Sequence, residues 1–222
     1  MNQDWAIAES LETREKRQQV SGTDTVALVG RYGTPLFVYS EPRIRHNIDR
    51  LRKAGEQIGC PLKLCYAAKA ISTLGILRAI KEAGCDIEVN SGGELWKALH
   101  KSQFTGDQII FNGTSKEEWE LRMAVENEIY AIQVDSMYEL WLIEGVAAWV
   151  GKKANVSLRL VPEISSNTHS GLQTALLTSK FGMMPDEAYE AFRQYGSSEH
   201  LNLCGIHLHI GSQNPEESPY TE

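Results

Sequence analysis

No stretch of this chain is apolar over anything near the roughly 20 residues of a membrane span, and its first residues lack the apolar centre of a signal peptide, because Glu9 to Gln19 is strongly polar. Neither membrane association nor export is expected, and a cytoplasmic location is. Cysteine is scarce: Cys60, Cys65, Cys85 and Cys204 are the four, with no Cys-x-x-Cys spacing. They read as reduced, small core residues, which argues against a disulfide frame and against a zinc site. There is no concentrated basic run, and the net charge is −7, so an electrostatic nucleic-acid binder is disfavoured. What remains is ordinary for a soluble globular protein: 222 residues, 42% hydrophobic and 23% charged, enough for one large core.

Residues 1–30 form a polar, helical lead-in, without repeats or low-complexity tracts. Leu36-Phe37-Val38-Tyr39 reads as a short strand. Ser40 can cap the helix that follows, with Pro42 in its first turn and Ile44, Ile48 and Leu51 at helical spacing. From there strands and helices alternate. Strands are expected near 62–68, 85–90, 108–112, 130–135, 155–161 and 203–210, and helices near 73–83, 92–101, 116–127, 136–149 and 185–195. Strands as apolar as Ala131-Ile132-Gln133-Val134 and Val156-Ser157-Leu158-Arg159-Leu160, separated by amphipathic helices, indicate a parallel sheet covered on both faces. Six βα units in a row favour a closed (β/α) barrel over an open sheet. No Gly-x-Gly-x-x-Gly follows the first strand, which removes the main support for a dinucleotide-binding fold. A complete barrel has eight strands and six are countable, so the expectation is an α/β chain forming part of a TIM-type barrel, incomplete by about two strands.

Several residues sit where chemistry would use them. Lys69 ends the apolar strand Lys63 to Ala68, and a buried ammonium there is costly unless paired or used. Desolvation favours the free amine, a nucleophile toward a carbonyl and the group an enzyme needs to hold an aldehyde cofactor. The small Cys65 and Ala67 share a face, leaving room for a ring. Arg159 interrupts an apolar strand, and a buried guanidinium needs an anionic or carbonyl partner, for which Glu88 is one candidate. His207 and His209 lie two apart on a strand and face the same side; as a pair they suit a packed core or, with further ligands from other strands, a metal. Ser91 and Glu94 read at least as well as helix caps as they do as catalytic groups.

Four strings in order, Glu88-Val89-Asn90-Ser91-Gly92-Gly93-Glu94-Leu95, Phe111-Asn112-Gly113-Thr114-Ser115-Lys116, Lys180-Phe181-Gly182 and His207-Leu208-His209-Ile210-Gly211-Ser212-Gln213, follow the lysine-bearing strand. From about Gly33 onward the chain resembles the pyridoxal-phosphate-dependent decarboxylases of the alanine-racemase-like barrel fold, most closely the diaminopimelate decarboxylase family. The resemblance implies pyridoxal 5'-phosphate as cofactor, held by Lys69 through its aldehyde. It implies His209 flat against the ring with His207 behind it, Arg159 near the phenolic oxygen, Glu88 near the cofactor, and Ser212 at the phosphate, where a small Gly-Ser turn offers backbone N–H groups. Lys69 and His209 are the residues expected in catalysis, with no metal. The implied reaction is Cα decarboxylation of a small-molecule amino acid, meso-diaminopimelate to L-lysine, in a homodimer when full length. The resemblance also implies a mainly β domain after the barrel, so residues 31–222 are expected to be the N-terminal part of the cofactor-binding barrel, inactive alone.

Thr168-His169 and Thr174-Ala175-Leu176 before Lys180 narrow the resemblance to diaminopimelate decarboxylases. Departures loosen the substrate: Ala175 and Leu177 replace a glycine and a polar residue, Val161 an asparagine, Asn90 a small apolar residue and Thr114 an asparagine. Decarboxylation of another amino acid (ornithine- or lysine-like) and racemisation on the same fold are the nearest alternatives. A non-catalytic barrel of the PLP-homeostasis type lacks the His-x-His-Ile-Gly-Ser-Gln and Ser-Gly-Gly-Glu strings. A metal-dependent barrel hydrolase would leave Gly211-Ser212 without a purpose.

Overall fold

The computed structural model describes residues 11–14, 17–161 and 181–211. The chain divides into two compact units, residues 1–64 with 75–85, and 65–74 with 86–222.

The first unit begins with three antiparallel strands, β1 (Leu11–Arg14), β2 (Arg17–Val20) and β3 (Thr23–Asp24), in the order β1-β2-β3. Val20 pairs with Thr23, and the two residues between them, Ser21 and Gly22, have φ of 47° and 77°. Two positive φ values in a two-residue loop match the right-handed twist of a hairpin. The expected helical lead-in is thus corrected: the Ser-Gly turn outweighs the polar, helix-like composition, and helix begins only with α1 (Thr25–Tyr32), where Asp24 Oδ1 accepts the Val26 N–H at 2.7 Å. Residues 36–39 are a second correction. They have no assigned secondary structure and lie exposed, Phe37 at 84%, because an extended segment becomes a strand only where a neighbour completes its ladder. Helix α2 (Glu41–Ile58) starts as expected, capped by Ser40 with Pro42 in the first turn, and stops at Gly59, left-handed with φ 66°. Helix α3 (Leu74–Glu82) buries Leu77, Ala79 and Ile80.

The second unit carries six parallel strands: β4 (Cys65–Ala67), β5 (Asp86–Val89), β6 (Ile109–Phe111), β7 (Ala131–Val134), β8 (Ala154–Leu160) and β9 (Leu201–Leu208). Their order is β4-β5-β6-β7-β8-β9, the order of the sequence. Helices α4 (Gly92–Lys101), α5 (Glu118–Glu126), α6 (Met137–Val150) and α7 (Pro185–Tyr195) connect or follow them. A sequential parallel order with helical crossovers is that of a (β/α) barrel wall, whereas an open doubly wound sheet reverses direction part-way. Ile87, Ile109, Phe111, Ile132 and Leu158 of the strands and Leu95, Leu121, Leu140 and Ile143 of the helices are almost completely buried. Strands covered on both faces account for the near-continuous apolar runs read from the sequence.

Two details position the functional residues. The strand-to-helix turns after β5 and β7 carry the same device: Ser91 and Ser136 accept from the N–H of Glu94 and Glu139, and those carboxylates accept the N–H of Asn90 and Asp135, each at 2.8 Å. Ser91 and Glu94 are therefore caps. On β9, Val156 pairs with Leu203 but Ser157 pairs with Gly205, so Cys204 is an extra residue, a bulge. The shift brings His207 beside Arg159. Cys204 and Cys60 are exposed, unlike the buried Cys85; core placement is corrected for those two, one lying after a helix end and the other on the bulge.

Candidate active site

The turns at the C-terminal ends of the strands enclose a cavity of about 400 Å³, lined by Lys69 after β4, Asn90 after β5, Asn112 to Thr114 after β6, Arg159 from β8, Phe181, and His209 after β9. Parallel strands aim their last side chains at one mouth, so residues distant in sequence converge without long loops. Gly113 is required there: its φ is 98°, and an added Cβ would stand 2.6 Å from the Asn90 carbonyl oxygen.

Lys69 lies in the turn after β4 and is exposed, which corrects the expectation of a buried ammonium: β4 ends at Ala67, two residues earlier. Glu88 does not line the cavity. Its Oε1 accepts from Asn112 Nδ2 at 2.8 Å and from Asn90 Nδ2 at 3.1 Å, so it stands behind two amides that do. Arg159 is 7% exposed. Its partner is Asp135, not Glu88: Nη1 lies 3.5 Å from Asp135 Oδ1, and the guanidinium carbon sits 4.9 Å from the centre of the Phe181 ring. Burial lowers the Arg159 pKa, opposed by Asp135 and Glu88, and burial raises that of Asp135, opposed by Lys116 and Arg159. Gly182 N–H favours the charged carboxylate, but among the described residues neither oxygen meets a donor at full hydrogen-bonding geometry.

Behind Asp135 lies a second buried ion pair. Lys116 Nζ contacts Glu139 Oε1 at 3.0 Å, with side-chain exposures of 1% and 9%, and donates to the Gln133 carbonyl oxygen at 2.6 Å. Sequence reasoning singles out neither this pair nor Asp135. The available signal is the repeat of Val89-Asn90-Ser91-x-x-Glu94 as Val134-Asp135-Ser136-x-x-Glu139, which marks Asp135 as a strand-end residue like Asn90.

His207 and His209 share a face, as alternation requires. Burial, then Arg159 and Lys69, lower the His209 pKa, with Glu88 opposing. Burial, with repulsion from Arg159, His209, Lys69 and Lys116, pushes His207 down to about 4, and its Nδ1 is buried without a hydrogen-bond partner among the described residues. Among the described residues no group of three or more His, Cys, Asp or Glu is arranged to hold a metal ion, and no helix is long and apolar enough to cross a membrane. Ser212, Lys180 and the Thr168 to Leu177 segment fall outside the described residues.

The His207 shift has a measurable sign. An unfolded histidine takes a proton near pH 6.5, whereas His207 in the fold resists it down to about 4. The unfolded state therefore binds more protons between these values, so the stabilisation present above pH 6.5 is lost as pH falls toward 4. This group alone contributes a slope of at most about 1.4 kcal/mol per pH unit. Denaturant unfolding across that window should show a flatter pH dependence for His207→Gln than for the parent; parallel curves would refute the assignment.

The donor set tests the fit of an aldehyde cofactor bearing a phosphate and an aromatic ring. An accessible primary amine, a buried guanidinium with N–H groups to spare and a half-buried imidazole face one cavity, and these suit its aldehyde, its oxygens and its ring.

A sequential parallel sheet with its polar groups gathered at the strand C-termini defines a cofactor-binding domain of the (β/α)-barrel class. Residues 44–222 match the pyridoxal binding domain of the pyridoxal-dependent decarboxylases, and the chain belongs to that family. It is 36% identical over 220 residues to the diaminopimelate decarboxylase of Methanocaldococcus jannaschii, covering 96% of this chain and 50% of that protein. It is 35% identical over 206 residues to that of Bacillus subtilis, covering 92% and 47%. The structure of the M. jannaschii enzyme in co-complex with L-lysine superposes with a TM-score of 0.86 over 96% of this chain and 50% of that one. That of the Helicobacter pylori enzyme complexed with L-lysine is 32% identical and gives 0.83 over 87% and 48%. The chain spans about half the length of the curated relatives it matches. Family membership implies pyridoxal phosphate as the cofactor.

Proposed function

We propose that this chain supplies the cofactor-binding part of a pyridoxal-phosphate-dependent amino-acid decarboxylase, acting on meso-diaminopimelate to give L-lysine and carbon dioxide, with residues 31–222 as the barrel portion. The observation that carries the reading is the meeting of Lys69, Arg159 and His209 in one cavity at the strand ends. When bound, the cofactor supplies an electron sink for the charge left at Cα as carbon dioxide departs.

This chain's residues have distinct tasks in that chemistry. The Lys69 amine would hold the cofactor aldehyde, and its exposed position leaves that linkage open to an incoming substrate. His209 offers a flat face to the ring, and its depressed pKa favours the uncharged imidazole. Arg159 would supply fixed positive charge to the phenolic oxygen of the cofactor. Asn90 and Asn112, oriented by Glu88, present the rest of the polar wall, and Ser212 is assigned to the phosphate.

Support for diaminopimelate comes from the relatives, which carry that name at 33–36% identity. A second reading, decarboxylation of another amino acid, is favoured by one observation: Asn90 and Thr114, both departures from the family pattern, line the cavity. The test is to purify the full-length protein with pyridoxal phosphate and measure carbon dioxide release from meso-diaminopimelate, ornithine, lysine and arginine. The highest kcat/KM is expected for meso-diaminopimelate. Preference for another substrate would select the second reading, and interconversion of stereoisomers without carbon dioxide release would replace decarboxylation by racemisation.

A further inference from the structure

Charge alone does not explain why the Arg159 guanidinium points where it does. An arginine has four side-chain torsions, and burial does not choose among them. Two contacts constrain this one: the Phe181 ring at 4.9 Å from its central carbon and the Asp135 carboxylate at 3.5 Å from Nη1. Glu88 exerts a field on Arg159, but its Oε1 already serves Asn90 and Asn112. Asp135 is the acid in ion-pair contact with Arg159 among the described residues.

The charged groups nearest Asp135 other than Arg159 are engaged with one another, and its remaining neighbour is the Gly182 N–H. The Asp135 peptide N–H is held by Glu139 Oε2 at 2.8 Å, which fixes the backbone. The other nearby cation, Lys116, is engaged by Glu139 and the Gln133 carbonyl oxygen. Both Asp135 oxygens are buried, and among the described residues neither makes a hydrogen bond of full geometry. The Gly182 N–H acts on the carboxylate only as a weaker partner, an arrangement that buried acids in a purely structural role avoid. Asp135 does not line the cavity that Arg159, Lys69 and His209 share. It borders a separate cavity with Thr114 and Lys116, so its route to the Lys69 and His209 cavity is through Arg159.

We infer that Asp135 is a positioning residue that fixes the Arg159 guanidinium so that its remaining N–H groups face the cavity and serve an oxygen of the cofactor. This rests on the reading of the cavity as the pyridoxal phosphate site. Because the pair spans neighbouring strand ends, β7 and β8, it holds the arginine from the sheet and not from a loop, which is how a site keeps its groups within a fraction of an ångström. The aspartate never touches the cofactor; its effect passes entirely through the arginine.

The experiment uses full-length protein stripped of cofactor and titrated with pyridoxal phosphate, reading dissociation constant and the wavelength of the bound-cofactor absorption band. Asp135→Asn is expected to weaken binding about ten- to a hundredfold, the loss typical of a charged contact, and to move the band. Asp135→Glu, which keeps the charge, is expected to recover most of both. In an Arg159→Gln background, Asp135→Asn should change the dissociation constant by less than about twofold, since the residue through which it acts is gone. If Asp135→Asn does not fold, as judged by its thermal transition, Asp135→Ser is read in its place. Equal losses in both backgrounds, or no loss in the parent, would overturn the inference while leaving the cofactor reading intact. Failure of the parent protein itself to bind pyridoxal phosphate would overturn both.

Discussion

Replacing Lys69 by alanine in the full-length protein is expected to abolish borohydride-trapped attachment of pyridoxal phosphate and to lower decarboxylation by roughly a thousandfold or more. Other lysines near the strand ends are committed elsewhere. Lys116 is buried against Glu139, and Lys97 donates to the hydroxyl and carbonyl oxygens of Ser72. Among the described residues, Lys69 is the one lysine that borders the cavity. Being exposed, it contributes little burial, so the alanine variant should fold with an unchanged unfolding midpoint. That separates loss of chemistry from loss of structure. The measurement is mass spectrometry of the reduced protein; a pyridoxyl adduct retained by Lys69→Ala would show that another amine holds the cofactor.

The second large effect concerns stability. Glu139→Leu should destabilise the protein by about 3–5 kcal/mol, because it leaves the Lys116 ammonium, 1% exposed, without its counter-charge. The same change removes the acceptor for the Asp135 N–H, so the turn after β7 loses its brace as well. Adding Lys116→Met to Glu139→Leu removes the orphaned charge and should return a substantial part of the loss, though not the part that belongs to the turn. Urea unfolding of the two variants against the parent measures both. A single variant within about 1 kcal/mol of the parent would mean that Lys116 finds water or another acid, and that the pair does not support the strand ends as described.

The reach of the sequence differs between these features for physical reasons. The central strands β7 and β8 are legible because burial on both faces leaves an apolar run with little alternation to confuse it, and the others follow from their regular alternation with helices. The bounds of α4 and α7 agree with expectation because Ser91 and Pro185 mark their starts. The three-stranded sheet over 11–24 escapes such a reading, since its hairpin depends on two backbone angles at Ser21 and Gly22 and not on apolar content. Lys69, Arg159 and His209 stand out individually, and the structure brings them together. The partner of Arg159 does not, although the sequential order expected of a barrel already sets Glu88 on β5 three strands from β8 and Asp135 after the neighbouring β7. Nothing in the sequence marks Asp135 as an acid turned toward Arg159, because side-chain direction past a strand end is a property of the packed fold. Lys116 and Glu139 are hidden for the same reason: each looks like a surface charge until the turn after β7 closes over it.

Each strand from β5 to β9 pairs with the strand immediately before it in the chain, so as the polypeptide leaves the ribosome every new strand meets a partner already in place. Within this sheet β5 to β9 never wait for a partner made later, and no gap opens between them that another strand could enter by mistake. Parallel pairing is slow when it must close long loops between distant segments; here each link from β4 to β8 is only as long as one helix and its turns, and the link from β8 to β9 is longer. The sheet can therefore accrete unit by unit during synthesis, at a pace set by translation. The binding groups, each at the end of a different strand, then arrive at the mouth of the cavity in order, with Lys69 first and His209 last.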